Sequence, residues 1–310
     1  MNIDSRISYS IFKVPNDNFI KIDKDKKNLP ETCTTPSSDI KNDMLGWLSA
    51  RQREFVFNVP KQPISPEELD DGQIVDEYKQ LFNRSQTTFF RDDINWQEFG
   101  EFLKEHFQTL DDVDIRCFAC STGQEPYSLA LLLKKYFDDS DFTIKASDIV
   151  ADRIKGNILM QKSGILIDGF TFQKIHDVLG LDSKQDAKYF LPANSKSVQI
   201  DPKIVNCVEF SQKNILKSVE DFNSDKKTII MCRNMWPYVD SDKYEEFAKK
   251  LYDKLAPGSI VVLGSYDYCG EKRTFENSDK FPKILFQCGF KPIERGVHFI
   301  HKHTPLIFEK

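Results

Sequence analysis

Residues 116–128, Arg-Cys-Phe-Ala-Cys-Ser-Thr-Gly-Gln-Glu-Pro-Tyr-Ser, run from a short apolar stretch through small residues into a helix-like pattern. Strand, tight turn and helix in that order is how a nucleotide-like cofactor is usually seated. Ala119, Ser121 and Gly123 alternate as the glycines do in a Gly-x-Gly-x-Gly turn, so the backbone can lie against a ligand without side-chain collision. Glu125 opens the helix, with Pro126 in its first turn. Asp148 follows Gly123 by about 25 residues, where a doubly wound fold places the carboxylate that accepts hydrogen bonds from ribose hydroxyls. Alone, Asp148 is equally an N-cap for the next helix; turn and acid together favour ribose. The fingerprint Gly-x-Gly-x-x-Gly is absent, so a nicotinamide enzyme has no direct support.

Two other clusters invite chemistry. Cys117 and Cys120 form a Cys-x-x-Cys, but no second close pair follows, and the motif ends a strand where a redox pair would open a helix. His298, His301 and His303 fall in a terminal strand pattern with no cysteine or acid cluster beside them, so exposed histidines are the better account and no metal is expected.

The elements that must position these residues follow from the pattern. After residue 112, strands and helices alternate, the signature of a parallel sheet covered on both faces. Strands are expected at Val113–Ala119, Phe142–Ser147, Cys207–Phe210, Thr228–Arg233 and Ser259–Gly264, and helices at Glu125–Phe137, Val150–Gln161 and Ser241–Leu255. In the last of these helices Tyr244, Phe247, Ala248, Leu251 and Leu255 share one face. A further helix and two strands near Lys291–Glu294 and Val297–Phe308 give the sheet an antiparallel end. About forty residues, near 165–206, break the rhythm; the alternating run Ser197-Val-Gln-Ile-Asp201 points to an inserted antiparallel β element. Residues 1–42 are rich in Asp, Asn, Lys, Ser and Pro and are expected to be a disordered tail, 43–103 a small helical lobe, and 104–310 the sheet domain.

A net charge of −5 and a pI near 5.7 argue against a nonspecific polyanion binder, so nucleic acid is not an expected partner. There is no apolar run of roughly 20 residues and no apolar core of a secretory signal near the start, so a cytoplasmic protein without membrane insertion is expected. Seven scattered cysteines, an odd number, fit a reducing compartment.

Five separated segments, in order, resemble the CheR family of S-adenosylmethionine-dependent protein-glutamate O-methyltransferases, which methylate bacterial chemoreceptors. They are Thr87-Thr-Phe-Phe-Arg91, Ser121-Thr-Gly-Gln-Glu-Pro-Tyr-Ser128, Ala146-Ser-Asp148, Phe210 through Asn214-Ile-Leu216, and Cys232-Arg-Asn-Met-Trp-Pro-Tyr238. The Leu-Ala-Pro-Gly258 turn is similar to one that precedes the fifth strand in many methyltransferases. The resemblance covers roughly residues 80 to 310 and implies a Rossmann-like doubly wound α/β sheet with an antiparallel end, a small N-terminal helical lobe and an inserted antiparallel β element. It implies S-adenosylmethionine as cofactor and a protein, possibly a chemoreceptor, as substrate. Carried over residue by residue, it implies cofactor contacts from Ser85, Thr87, Arg91, Glu125, Asp148, Asn214, Ile215, Arg233 and Asn234, and a catalytic pair of Arg91 and Tyr238. The chemistry suits these types: an ionised carboxylate is already the nucleophile, so Arg and Tyr donors need only align it with a sulfonium methyl. Without the motif, Arg91 is a salt bridge between lobe and sheet and Tyr238 a half-buried core tyrosine.

The chain departs from the family pattern in places. Ser85 stands where an Asn is common, Gln124 replaces the first of two usual acids, Gly264-Ser-Tyr-Asp267 stands for Gly-His-Ser-Glu, and Pro237 interrupts an aliphatic run. Glu67-Glu-Leu-Asp-Asp71 makes acidic a region that in the family carries an arginine-rich, receptor-docking helix. Two alternatives therefore stand beside the main one: a different protein or small-molecule acceptor, and a non-catalytic S-adenosylmethionine-binding adaptor or sensor.

Overall fold

The computed structural model describes residues 87–91, 94–194, 197–236, 239, 241–265, 267, 280–293 and 305–310. Ser85, Tyr238, the three late histidines, the N-terminal tail and most of the expected helical lobe lie outside them. In chain order the elements are α1 (Trp96–Phe107), β1 (Asp114–Phe118), α2 (Gln124–Tyr136), β2 (Ile144–Asp148), α3 (Ala151–Ser163), β3 (Leu166–Asp168), α4 (Gly169–Leu179), α5 (Ser183–Tyr189), β4 (Phe190–Asn194) and β5 (Ser197–Ile200). There follow α6 (Pro202–Val205), β6 (Val208–Gln212), α7 (Ile215–Ser218), β7 (Thr228–Met231), α8 (Tyr244–Lys254), β8 (Ile260–Val262), α9 (Lys280–Gln287), β9 (Lys291–Pro292) and β10 (Ile307–Glu309).

Seven strands form one sheet in the order β6-β2-β1-β7-β8-β10-β9. The first five are parallel, β10 runs antiparallel to β8, and β9 antiparallel to β10. The expected antiparallel end is therefore present. The central strands are continuous apolar runs, Thr-Ile-Ile-Met in β7 and Ile-Val-Val in β8, because helices cover both faces and every residue must be buried. Ile115, Cys117, Ile144, Ala146, Ile229 and Met231 face one core with α1 and α2. Phe118, Ile230 and Val261 face the other, with α7, α8 and α9. β8 serves both cores, Ile260 and Val262 the first and Val261 the second, where the α8 stripe Tyr244, Phe247, Ala248 and Leu251 is buried as its spacing requires.

Chain order proceeds from β1 through β2 to β6 on one side and from β7 to β8 on the other, so the reversal falls between β1 and β7. In an open parallel sheet a ligand binds at that switch point, beyond the carboxyl ends of the strands. The turns after β1, β2, β6 and β7 all lie there.

The insertion forms a three-stranded antiparallel sheet, β3-β5-β4, with Asp168 opposite Ser197 in register. It also carries helices, α4 and α5, that the expectation of a β element did not include. Residues 169–179 hold Phe170, Thr171, Phe172, Ile175 and Val178, types that favour strands. They are nonetheless helical in α4, because Asp168 accepts the Thr171 N–H at 2.7 Å as an N-cap and Gly180 closes the other end at φ 57°. The expected domain boundary at residue 103 falls within α1, a continuous helix begun by the Asn95 side chain, which accepts the Glu98 N–H at 3.3 Å.

Candidate functional site

The turn after β1 has an unusual backbone. Ala119 (φ 53°), Ser121 (φ 49°) and Gly123 (φ 89°) all lie in the left-handed region. These are the three alternating small residues, and two of them are not glycine. Each such residue is disfavoured by about 1–2 kcal/mol, so the turn must be held from outside. The Cys120 N–H donates to the Ser147 carbonyl at 3.0 Å and the Gly123 N–H to the Cys120 carbonyl at 2.9 Å. Asp148, 3% exposed, accepts the Ser121 N–H at 2.8 Å on Oδ2 and the Val150 N–H at 2.9 Å on Oδ1. Val150, not Asp148, is the N-cap of α3, so the capping role is not what the aspartate does here. Gly123 is the N-cap of α2 and brings no side chain to its first N–H groups. A helix N-terminus left open in this way, beside a backbone turn without bulky side chains, is a natural seat for a ligand.

Glu125, in the first turn of α2, reaches across the switch point. Its Oε2 lies 2.8 Å from Nη1 of Arg233, whose side chain is fully buried, and the Cys117 thiol points at its Oε1 at 3.7 Å. Burial, and then the Glu125 charge, push the Cys117 thiol well above its ordinary pKa, which keeps it a neutral packing group. Arg233 also lies 5.1 Å from the Trp96 ring centroid. Trp96 in turn donates its indole N–H to the Arg91 carbonyl at 3.0 Å, and the adjacent Phe90 N–H donates to Ser128 Oγ of α2 at 2.8 Å. The segment bearing Thr87 and Arg91 is thereby fastened to the same corner.

The Lys213 N–H donates to the Asp148 carbonyl at 3.2 Å, which sets the loop after β6 against the end of β2. Asn214 then N-caps α7, accepting the Leu216 N–H at 2.9 Å, and Ile215 is buried against the Phe118 side of the sheet. On the other side Asn234 takes φ 58°, and its N–H donates to Asp267 at 2.7 Å. The fold thus gathers Glu125, Asp148, Asn214, Ile215, Arg233 and Asn234 around the carboxyl ends of β1, β2, β6 and β7. Thr87 and Arg91 approach from the α1 side.

Three residues beyond the sequence reading hold this frame. Asp267, 4% exposed, accepts N–H groups from Asn234, Trp236 and Gly264 at 2.7, 3.0 and 2.7 Å. The two turns interlock, since a Cβ at Gly264 would sit 2.2 Å from the Asn234 side chain. Trp96 joins Arg91 to Arg233. Asn157, buried on α3, donates to the Ser121 carbonyl at 2.9 Å. Its signal was an amide on an otherwise apolar face, three residues from both Ile154 and Met160. Among the described residues, no three His, Cys, Asp or Glu are gathered as a metal site, and no helix is long and apolar enough to cross a membrane.

The family model described as CheR methyltransferase, SAM binding domain, matches residues 85–283. The chain is 24% identical over 217 residues to the chemotaxis protein methyltransferase Cher2 of Pseudomonas putida, covering 68% of this chain and 74% of that one. It is 27% identical over 192 residues to chemotaxis protein methyltransferase 2 of Vibrio cholerae, covering 58% of this chain and 61% of the relative. A chemotaxis protein methyltransferase of Listeria monocytogenes is 22% identical, with 63% and 69% covered.

Proposed function

Because this chain belongs to the CheR methyltransferase family, we propose that it transfers a methyl group from S-adenosylmethionine to a glutamate side-chain carboxylate of a protein, with a chemoreceptor as the leading acceptor. The observation that carries the reading is the convergence of the left-handed turn, Asp148 and the Glu125–Arg233 pair on one switch point. S-adenosylmethionine supplies a methyl group activated by a sulfonium. The turn at Ala119–Gly123 offers its backbone to the nucleoside, and Asp148 accepts from ribose hydroxyls, through Oδ1 beside the Val150 N–H and through Oδ2, which also faces Arg153 Nη1 at 3.7 Å. Asn214 and Ile215 frame the adenine, while Glu125, Arg233, Asn234, Thr87 and Ser85 complete the cofactor contacts. Arg91 and Tyr238 hold the acceptor carboxylate in line with the methyl through donors, and its pairing must stay loose enough to leave it nucleophilic.

The test is methyl transfer from labelled cofactor to candidate proteins, read as alkali-volatile methanol released from methyl esters. Tyr238→Phe is expected to lower kcat by roughly 100-fold or more, the range expected for lost positioning, with a smaller effect on cofactor affinity. Arg91→Ala, which also removes a proposed cofactor contact, is expected to lower both. Turnover without any base-labile ester would remove the carboxylate assignment. A different acceptor is the second reading, favoured by the acidic run Glu67–Asp71, which would repel a glutamate-rich helix. Mass spectrometry of the methylated products separates the two.

A further inference from the structure

We propose that Asn157 of α3 is a positioning residue for the ligand turn: its side-chain amide holds the Ser121 carbonyl and keeps a strained, non-glycine backbone in the shape that receives the cofactor. The consequence for binding rests on the S-adenosylmethionine reading above; the consequence for the turn rests on geometry alone. Ser121 has φ 49°, a conformation that persists in an L residue only where the surroundings over-determine it. Its two peptide groups are held from different elements. Asp148 of β2 takes its N–H at 2.8 Å, and Asn157 Nδ2 donates to its carbonyl at 2.9 Å. The same amide lies against Gly123, since a Cβ there would be 3.3 Å from Asn157 Oδ1. Asn157 is 1% exposed, so its amide had to be stripped of water and is stabilising only while these bonds are made. The two ties differ in one respect. Asp148 faces the expected ribose and its lone pairs are shared when a ligand arrives; Asn157 reaches the turn from α3 and the core, and does not compete.

A double-mutant cycle in the full-length chain tests this. Asn157→Leu keeps size and burial but removes the donor, whereas Ser121→Gly removes the strain that makes the donor necessary. Amide exchange across residues 119–124, measured without ligand, should speed up by about tenfold or more in Asn157→Leu while β1 and the middle of α3 stay protected. S-adenosylhomocysteine binding, by calorimetry, should weaken about 5- to 10-fold in Asn157→Leu, and by less than about 2-fold when the same change is made in Ser121→Gly. Unchanged exchange in Asn157→Leu, or equal weakening in both backgrounds, overturns the proposal. Should the wild-type chain bind no S-adenosylhomocysteine while the exchange coupling holds, the cofactor reading falls and the turn clamp stands. Should Asn157→Leu fail to fold, Asn157→Ala is read in its place. If that also fails, folding of Ser121→Gly/Asn157→Ala supports the clamp, and its failure overturns it.

Discussion

The turns after β1 and β7 are held by one device, a buried aspartate accepting backbone N–H groups, yet they are built for different ends. Asp148 accepts from Ser121 and Val150 and belongs to the neighbouring strand; Asp267 accepts from Asn234, Trp236 and Gly264 and lies beyond β8. The β1 turn has small residues at Ala119, Ser121 and Gly123 and meets a helix whose N-cap, Gly123, has no side chain, so no bulky side chain from those positions covers its backbone. The β7 turn is seated on aromatic rings. Trp236 stacks on Phe281 of α9 with centroids 3.4 Å apart, and the Tyr244 hydroxyl donates to the Trp236 carbonyl. One turn is a receiving surface; the other is a firm platform from which Arg233 reaches over and from which the chain continues into Pro237 and Tyr238. The Glu125–Arg233 pair spans the two.

That bridge carries the largest expected effect. Arg233→Met leaves Glu125 without its buried partner and should cost about 3–5 kcal/mol in denaturant unfolding. The double variant Glu125→Gln/Arg233→Met removes both charges together and should regain most of that stability, but not cofactor affinity, because Glu125 is itself a proposed ligand. A double variant no more stable than Arg233→Met would mean that the pair does not join the turns.

The next effects are smaller and crossed. Asp148→Asn and Asp267→Asn each turn an amide N–H toward backbone donors, at about 1–3 kcal/mol for each buried group left unsatisfied. Asp267→Asn should lose more stability, since Asp267 ties the Asn234, Trp236 and Gly264 N–H groups of two turns together, whereas Asp148 accepts from Ser121 and Val150 and lies 3.7 Å from Arg153. Asp148→Asn should lose more cofactor affinity in calorimetry. If one variant is worse on both counts, the division between receiving surface and platform is wrong.

The two turns also differ in how legible they were. Ala119, Ser121, Gly123 and Asp148 were readable because backbone approach demands small residues at fixed spacing and a nucleoside demands an acid one strand away. That β1, β2, β6, β7 and β8 are strands of a parallel sheet was readable from apolar runs alternating with helical periodicity. Asp267 was visible only as a departure from a family motif, since nothing local to Gly264-Ser-Tyr-Asp267 says which N–H groups a carboxylate will meet. Those donors, Asn234 and Trp236, are brought by the pairing of β7 with β8. Asn157 showed only as an amide on an apolar face, and its partner Ser121, 36 residues away, was not legible for the same reason. Helix α4 was missed differently: the insertion was read as a β element from the alternation at Ser197–Asp201, while the caps of α4, Asp168 and Gly180, lay in the sequence unused.

The smallest expected effect compares the turns through their thiols. Cys120 in the first and Cys232 in the second are buried and held well above the ordinary thiol pKa, first by burial and then by the charge of Asp148 and of Asp267 respectively. Below the unfolded value of 9.0 both forms are protonated and the shift has no effect on stability. As pH rises past it, the unfolded chain releases these protons while the native chain keeps them, so stability falls. Each thiol should account for about 1 kcal/mol of the loss between roughly pH 9 and 10. Cys120→Ala and Cys232→Ala should therefore each flatten the alkaline limb of the unfolding curve by that amount, whatever they cost at neutral pH through lost packing. Equal flattening means that both turns stay closed around their thiols and that burial, common to the two, sets the shift. Flattening in Cys232→Ala alone would mean that the receiving turn already opens to water without its ligand while the platform does not.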